Sequence, residues 1–158
     1  MILSNFVIRD TIIPRLSETT RDGVLREMVR SLQKANFFQE SEVDLIVEEV
    51  LKRERLGSTG IGRNIAIPHT RYSGIDRLIG TIGISSSGIA YQSIDGEPVH
   101  VFILLISPQD RPADHLRALE AVVRTMKDDR FVQELRQTAD KEDLWNLLER
   151  AAPRWDRT

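Results

Sequence analysis

Residues 57–69 read G-S-T-G-I-G-R-N-I-A-I-P-H. The stretch starts where an amphipathic helix runs out, crosses three glycines, becomes a short apolar strand at residues 65–67, and stops at Pro68 and His69. Glycines gather where backbone must turn sharply or come close to something else. Here the strand delivers one imidazole, His69, to its C-terminal end.

Outward toward the N-terminus, residues 20–35 carry Val24, Leu25, Met28, Val29 and Leu32 at helical spacing, with Thr19 or Thr20 as N-cap and Gly23 weakening the first turn. A second helix is predicted from Ser41, where S-E-V-D matches a capping box with Asp44 in the N3 place. Its apolar stripe is Val43, Ile46, Val47 and Val50, and Gly57 suits its C-terminal end. Ahead of both, residues 6–8 read as a short strand closed by Pro14.

Toward the C-terminus, residues 78–85 read as a strand with Ile82 and Ile84 on one face. Residues 99–106, V-H-V-F-I-L-L-I, are the most apolar run and read as a central strand buried on both faces, ended by Pro108. Pro112 suits the first position of a helix carrying Leu116, Leu119, Val123 and Met126. Asp128 or Asp129 caps a short helix through Phe131 and Leu135, and Asp140 starts a last one with Leu144, Leu147 and Leu148. Residues 151–158 read as a frayed tail. Helices, then strands, then helices predict an α/β layered sandwich: a central mixed β-sheet flanked by helices, in a single domain over residues 1–158.

Composition narrows the chemistry. A chain of 158 residues suits one domain with a proper core. A net charge of −2 with 29% charged residues argues against a general nucleic-acid or anionic-membrane surface. With no cysteine, disulfides, thiol nucleophiles, thiolate zinc sites and iron–sulfur clusters are excluded. The N-terminus has no basic leader, long apolar run or small-residue cleavage site. Residues 78–94 are uncharged, but their Gly and Ser content reads as strand and loop, not a membrane span. The expectation is a cytoplasmic protein with no nucleic-acid partner and no direct membrane insertion.

Three histidines, His69, His100 and His115, are the imidazoles available for chemistry. The glycine loop offers two readings: a phosphate cradle made of backbone amides, or, more ordinarily, a plain connector. It follows a helix instead of a strand, runs the dinucleotide-binding spacing in reverse, and lacks the Lys-Ser/Thr of a P-loop. His69, stiffened by Pro68, is either a half-buried histidine satisfied by a carbonyl or a residue for nucleophilic or proton-transfer work near neutral pH. His115 falls in the first turn of the helix begun by Pro112 and shares a face with Leu119, Val122 and Met126. It is either core or a partner of the helix N-terminal amides, which favour an anion. Arg53 either complements the end of its own helix or reaches a negative group near the glycine loop. His100 alternates within the central strand and is assigned to packing. No Ser/His/Asp set declares itself, and two usable imidazoles without a carboxylate partner make a weak metal site. Two imidazoles, a guanidinium and a helix N-terminus look more like a site for a phosphoryl group, with no cofactor.

At these residues the chain resembles a known family. Residues 53–69 (R-E-R-L-G-S-T-G-I-G-R-N-I-A-I-P-H), residues 94–108 (I-D-G-E-P-V-H-V-F-I-L-L-I-S-P) and residues 114–119 (D-H-L-R-A-L) are similar, in the same order, to the enzyme IIA domains of the phosphoenolpyruvate-dependent phosphotransferase system. The class is fructose/mannitol and the type nitrogen-regulatory. The resemblance implies a mixed sheet between helices and a phosphoryl carrier. His69 would accept the group from the carrier HPr, with His115 and Arg53 stabilising it. In the sugar branch of the family the group passes to a IIB domain. In the regulatory branch the phosphorylation state is itself the signal, read by a partner such as a channel, transporter or kinase. The nitrogen-type signature, in a chain with no IIB or membrane segment, favours regulation. The alternatives are a sugar-specific IIA protein and an interaction module that keeps the fold without phosphate. One departure stands out: Thr70, Arg71 and Tyr72 follow the I-P-H element, where glycine is usual in the family. A bulkier, more basic loop there bears on partner choice and rate, not on the identity of the site.

Overall fold

The computed structural model describes residues 1–151, so residues 152–158 of the expected tail lie outside it. In chain order the elements are α1 (Arg21–Lys34), α2 (Val43–Arg55), β1 (Gly60–Gly62), β2 (Ile65–Ala66), β3 (His69–Arg71), β4 (Ile79–Ile89), β5 (Val99–Ser107), α3 (Pro112–Met126), α4 (Asp129–Arg136) and α5 (Lys141–Arg150). The strands make one mixed sheet with β5 inside it. Along one edge of β5 run β2 and then β3, both parallel to it, and along the other runs β4, antiparallel. Among the described residues no helix is long and apolar enough to cross a membrane.

The period of two in a strand explains why β5 is apolar throughout. Val101, Ile103 and Leu105 point into a core shared with α3, α4 and α5, while Phe102, Leu104 and Ile106 point into a second core shared with α1 and α2. All six are 0% exposed, and each contributes roughly 1.5–3 kcal/mol by leaving water. Arg26–Asp44 and Arg30–Glu40 also join α1 to the segment of α2, but both pairs are exposed and worth at most about 1 kcal/mol each. Packing on the sheet therefore holds the layers together.

Several elements start as the sequence indicates. Thr20 caps α1 by accepting from Gly23 N–H, Asp128 caps α4, Asp140 caps α5, and Pro112 occupies the first turn of α3. Four expectations need correction. Residues 6–8 are not a strand: two 3-10 turns, Leu3–Asn5 and Arg9–Thr11, alternate with single bridges from Val7 to Gly80 and from Ile13 to Gly83. The segment still bonds β4 through Phe6, Ile8, Ile13 and Leu16, but local bonds such as Thr11 Oγ1 to the Ile8 carbonyl turn it between these points and interrupt the pairing. Ser41 is not an N-cap. The cap lies two residues earlier, where the longer Glu42 side chain accepts from Gln39 N–H at 2.7 Å and opens a 3-10 turn ahead of α2.

The outward face of α3 also differs. Its buried residues are His115, Ala118, Ala121, Val122 and Met126, whereas Leu116 is 57% and Val123 38% exposed. The small side of the helix, with two alanines, is the one that fits closely on the sheet. Finally, His69 does not end a strand. Residues 65–71 are one run along β5 broken at Pro68, which has no N–H to give; the Pro68 carbonyl still accepts from Leu105 N–H at 3.0 Å. Pairing resumes at His69, opposite Leu105.

The approach to that run depends on Gly60. A Cβ there would sit 2.2 Å from Ser93 Oγ and 3.0 Å from Ser93 Cα. Gly60→Ala is therefore expected to cost on the order of 1–3 kcal/mol of stability, as overpacking does, read from the urea midpoint. A wild-type midpoint would mean that Ser93 moves aside freely.

Candidate active site

Strand geometry decides which side chains meet. Ile65 and Ile67 face the α3–α5 core, and His69 continues that row two residues on. On β5, Ser107 continues the row of Val101, Ile103 and Leu105 on the same side. The chain then turns at Pro108 and enters α3, whose first turn brings in His115. The rings of His69 and His115 lie 5.3 Å apart, centre to centre, at an interplanar angle of 58°. The structure thus brings together the two histidines that the sequence separates by a strand, a hairpin and a helix start.

The two rings are held differently. His69 Nδ1 is 2.8 Å from the carbonyl oxygen of Ile67. A carbonyl can only accept, so Nδ1 carries the hydrogen and Nε2 of the neutral ring keeps its lone pair. His69 is half-buried, and burial is the first cause that holds it below its ordinary 6.5. The Ile67 carbonyl pulls the other way, as does Glu54, while Arg53 and Arg71 add to the lowering. His115 is buried, its Nδ1 meets Ser107 Oγ, and its pKa falls to about 4 through burial, the neighbouring His69 and Arg71. Both rings therefore favour the neutral form near pH 7.

Arg53 complements the end of its own helix and also lies near His69. Its Nη1 donates to the Gly57 carbonyl at 2.9 Å, closing the end of α2, and its charge is close enough to His69 to lower that pKa. His100 is elsewhere. Its Nδ1 bonds the Ser85 carbonyl at 2.8 Å, and its ring lies under Gly88 in the β4–β5 hairpin, so the packing assignment stands.

The glycine loop is a connector. Gly57 N–H bonds the Glu54 carbonyl, Thr59 N–H bonds Glu54 Oε1 at 2.8 Å, Gly60 N–H bonds Ser58 Oγ, and Arg63 N–H bonds Asp95 Oδ2. Amides spent in this way cannot cradle a phosphate. Glu54 was not apparent as a structural anchor. Only 5% exposed, it also accepts from the hydroxyls of Thr59 and Tyr91, pinning the loop to the last turn of α2. Burial and that carboxylate push the Tyr91 phenol far up, so it stays a donor. Ser107 was missed as well. Its signal was a lone hydroxyl closing an otherwise apolar buried strand, a position that demands a partner.

Chemically, the site offers a half-buried nitrogen lone pair beside a second imidazole and two guanidinium groups. That set suits a nucleophile attacking an anionic electrophile whose charge needs donors around it.

Comparison with known proteins gives the family and the fold. The family described as phosphoenolpyruvate-dependent sugar phosphotransferase system, EIIA 2, matches residues 5–151. A nitrogen regulatory protein of Bradyrhizobium diazoefficiens is 29% identical over 148 residues, covering 94% of this chain and 95% of its own. The crystal structure of nitrogen regulatory protein IIA-Ntr from Neisseria meningitidis superposes with a TM-score of 0.82 at 22% identity, over 92% of this chain and 98% of that one. Mannitol enzyme IIA of Escherichia coli, solved in complex with phosphorylated mannitol enzyme IIB, shares the fold at a TM-score of 0.72 and 16% identity, over 89% and 94%.

The low pKa of His115 has a consequence for stability. An unfolded chain titrates this residue near 6.5 and the folded protein near 4, so on acidification the unfolded state takes the proton first. Stability tied to His115 is then complete above about pH 6.5 and declines toward pH 4. His115→Gln should lose less stability than wild type between pH 7 and pH 5 in urea titrations. Parallel curves would contradict the buried neutral state.

Proposed function

Because the chain belongs to the EIIA 2 family of phosphoenolpyruvate-dependent sugar phosphotransferase systems, we propose that it is a cytoplasmic phosphocarrier that accepts a phosphoryl group on His69 Nε2. The observation that carries this reading is the hydrogen bond from His69 Nδ1–H to the Ile67 carbonyl. It leaves Nε2 as the nucleophilic nitrogen and holds the ring still. In the transfer, the Nε2 lone pair attacks phosphorus in line with the donor's phosphohistidine N–P bond. That bond breaks, and its electron pair returns to the donor imidazole. Charge spreading over the three equatorial oxygens is met by His115 and Arg53, each worth on the order of 1.4 kcal/mol or more, a factor of ten in rate. The donor is an HPr-type carrier.

For the output, the likeness over nearly the whole length to a nitrogen regulatory protein supports regulation, with the phosphorylation state of His69 read by a partner protein. Passage onward to a IIB domain is the second reading, the pairing that mannitol enzyme IIA shows with its phosphorylated IIB.

Incubation with phosphoenolpyruvate, enzyme I and HPr tests the proposal by intact mass. One phosphoryl group, labile in acid and stable in base, is expected on the wild type, and adding a IIB domain tests onward transfer. His69→Ala should take up none. His115→Ala and Arg53→Ala should still be phosphorylated at His69, but more slowly by on the order of tenfold or more. His100→Ala should match the wild type in rate. Label on His115, or uptake without His69, would overturn the roles.

A further inference from the structure

We propose that Ser107 is a positioning residue: its hydroxyl fixes His115 as the Nε2–H tautomer, so that the two neighbouring imidazoles stand in opposite tautomers. The role in transfer rests on the phosphocarrier reading above; the tautomer itself does not. Ser107 is the last residue of β5, 0% exposed, with its Oγ at hydrogen-bonding distance from His115 Nδ1. Its backbone is held on the β3 side, paired with Arg71 and accepting from Tyr72 N–H at 2.8 Å. The hydroxyl therefore sits on fixed backbone, and so does the ring it meets, in the first turn of α3.

Two arrangements of this pair are conceivable. In one, Ser107 O–H donates to an unprotonated Nδ1, and the ring hydrogen is on Nε2. In the other, Nδ1–H donates to Oγ, and the serine hydrogen must find another acceptor. Among the described residues Ser107 Oγ has His115 Nδ1 as its hydrogen-bond partner and no second one. The second arrangement would leave a buried O–H unsatisfied, which is the costly case. The first satisfies both groups. His115 is also neutral near pH 7, since its pKa lies at about 4, so it has a single N–H and the choice of nitrogen matters.

The contrast with His69 gives the arrangement its use. A carbonyl beside Nδ1 of His69 forces the hydrogen onto Nδ1 and bares Nε2. A hydroxyl beside Nδ1 of His115 does the reverse and turns Nε2 into a donor. Two adjacent neutral imidazoles thus present one lone pair and one N–H at their Nε2 atoms, which are the two things that nucleophilic attack on a phosphoryl group requires. No proton leaves His115 in the step; it donates a hydrogen bond to a phosphoryl oxygen while the N–P bonds exchange.

Nitrogen-15 spectra of the unphosphorylated full chain test this directly. At pH 7, His115 should show a protonated Nε2 and an unprotonated Nδ1, and His69 the opposite pattern. In Ser107→Ala the His115 pattern should move toward a mixture of tautomers. Phosphoryl transfer from HPr should slow by on the order of tenfold without a change in half-saturating HPr. Ser107→Thr, which keeps the hydroxyl, should restore both. A protonated Nδ1 on His115 in the wild type overturns the proposal whatever the variants do. So does Ser107→Ala with an unchanged tautomer, or with an unchanged rate. If the wild type takes up no phosphate, the carrier reading fails, and the wild-type spectrum still decides the tautomer.

Discussion

The parallel pairing of residues 65–71 with β5 is the constraint on which the site depends. β5 is buried on both faces, and the run beside it is held by main-chain bonds on either side of Pro68. Pro68 interrupts the ladder without displacing it, because its carbonyl still accepts from Leu105. His69 therefore begins the second half of a strand that is already in register. The same register puts Arg71 beside Ser107, and the alternation of the two strands sends His69 and Ser107 toward α3. Loosening this pairing would move His69, its neighbours and the turn into α3 together.

Burial then sets the electrostatics. Neither ring is in water enough to hold a proton easily, and the nearby arginines make a second positive charge still less welcome. A site of neutral imidazoles in a positive surround is poor at binding cations and well prepared for an anion. The surround is itself anchored. Glu54, next in sequence to Arg53, spends its carboxylate on Thr59 and Tyr91, which ties the end of α2 to the glycine loop. The loop's glycines serve close packing, as at Gly60 against Ser93.

Exposure around α3 follows from the same packing. With Ala118 and Ala121 against the sheet, the helix lies close enough for His115 to reach Ser107. Leu116 and Val123 are then left facing outward. Had the larger residues been buried, the helix axis would stand farther from the sheet and the two imidazoles farther apart. Access of the second histidine to the first thus depends on two small side chains that carry no chemistry.

Much of this was legible in the amino-acid order. Helical periods with Thr20, Asp128 and Asp140 as caps, and an unbroken apolar run for a strand covered on both faces, are local signals, and local hydrogen bonding or burial enforces them. The candidate residues His69, His115 and Arg53 were legible by chemical type and by family likeness. What the sequence could not decide were matters of which atoms come within bonding reach across the sheet. The face that α3 buries, the resumption of pairing after Pro68, the anchoring by Glu54 and the meeting of Ser107 with His115 all join residues brought together by strand register or helix rotation. A residue's type and period state what it can do and which way it leans. Which nitrogen of a histidine holds the hydrogen depends on the neighbouring oxygen, and only the tertiary structure supplies that oxygen.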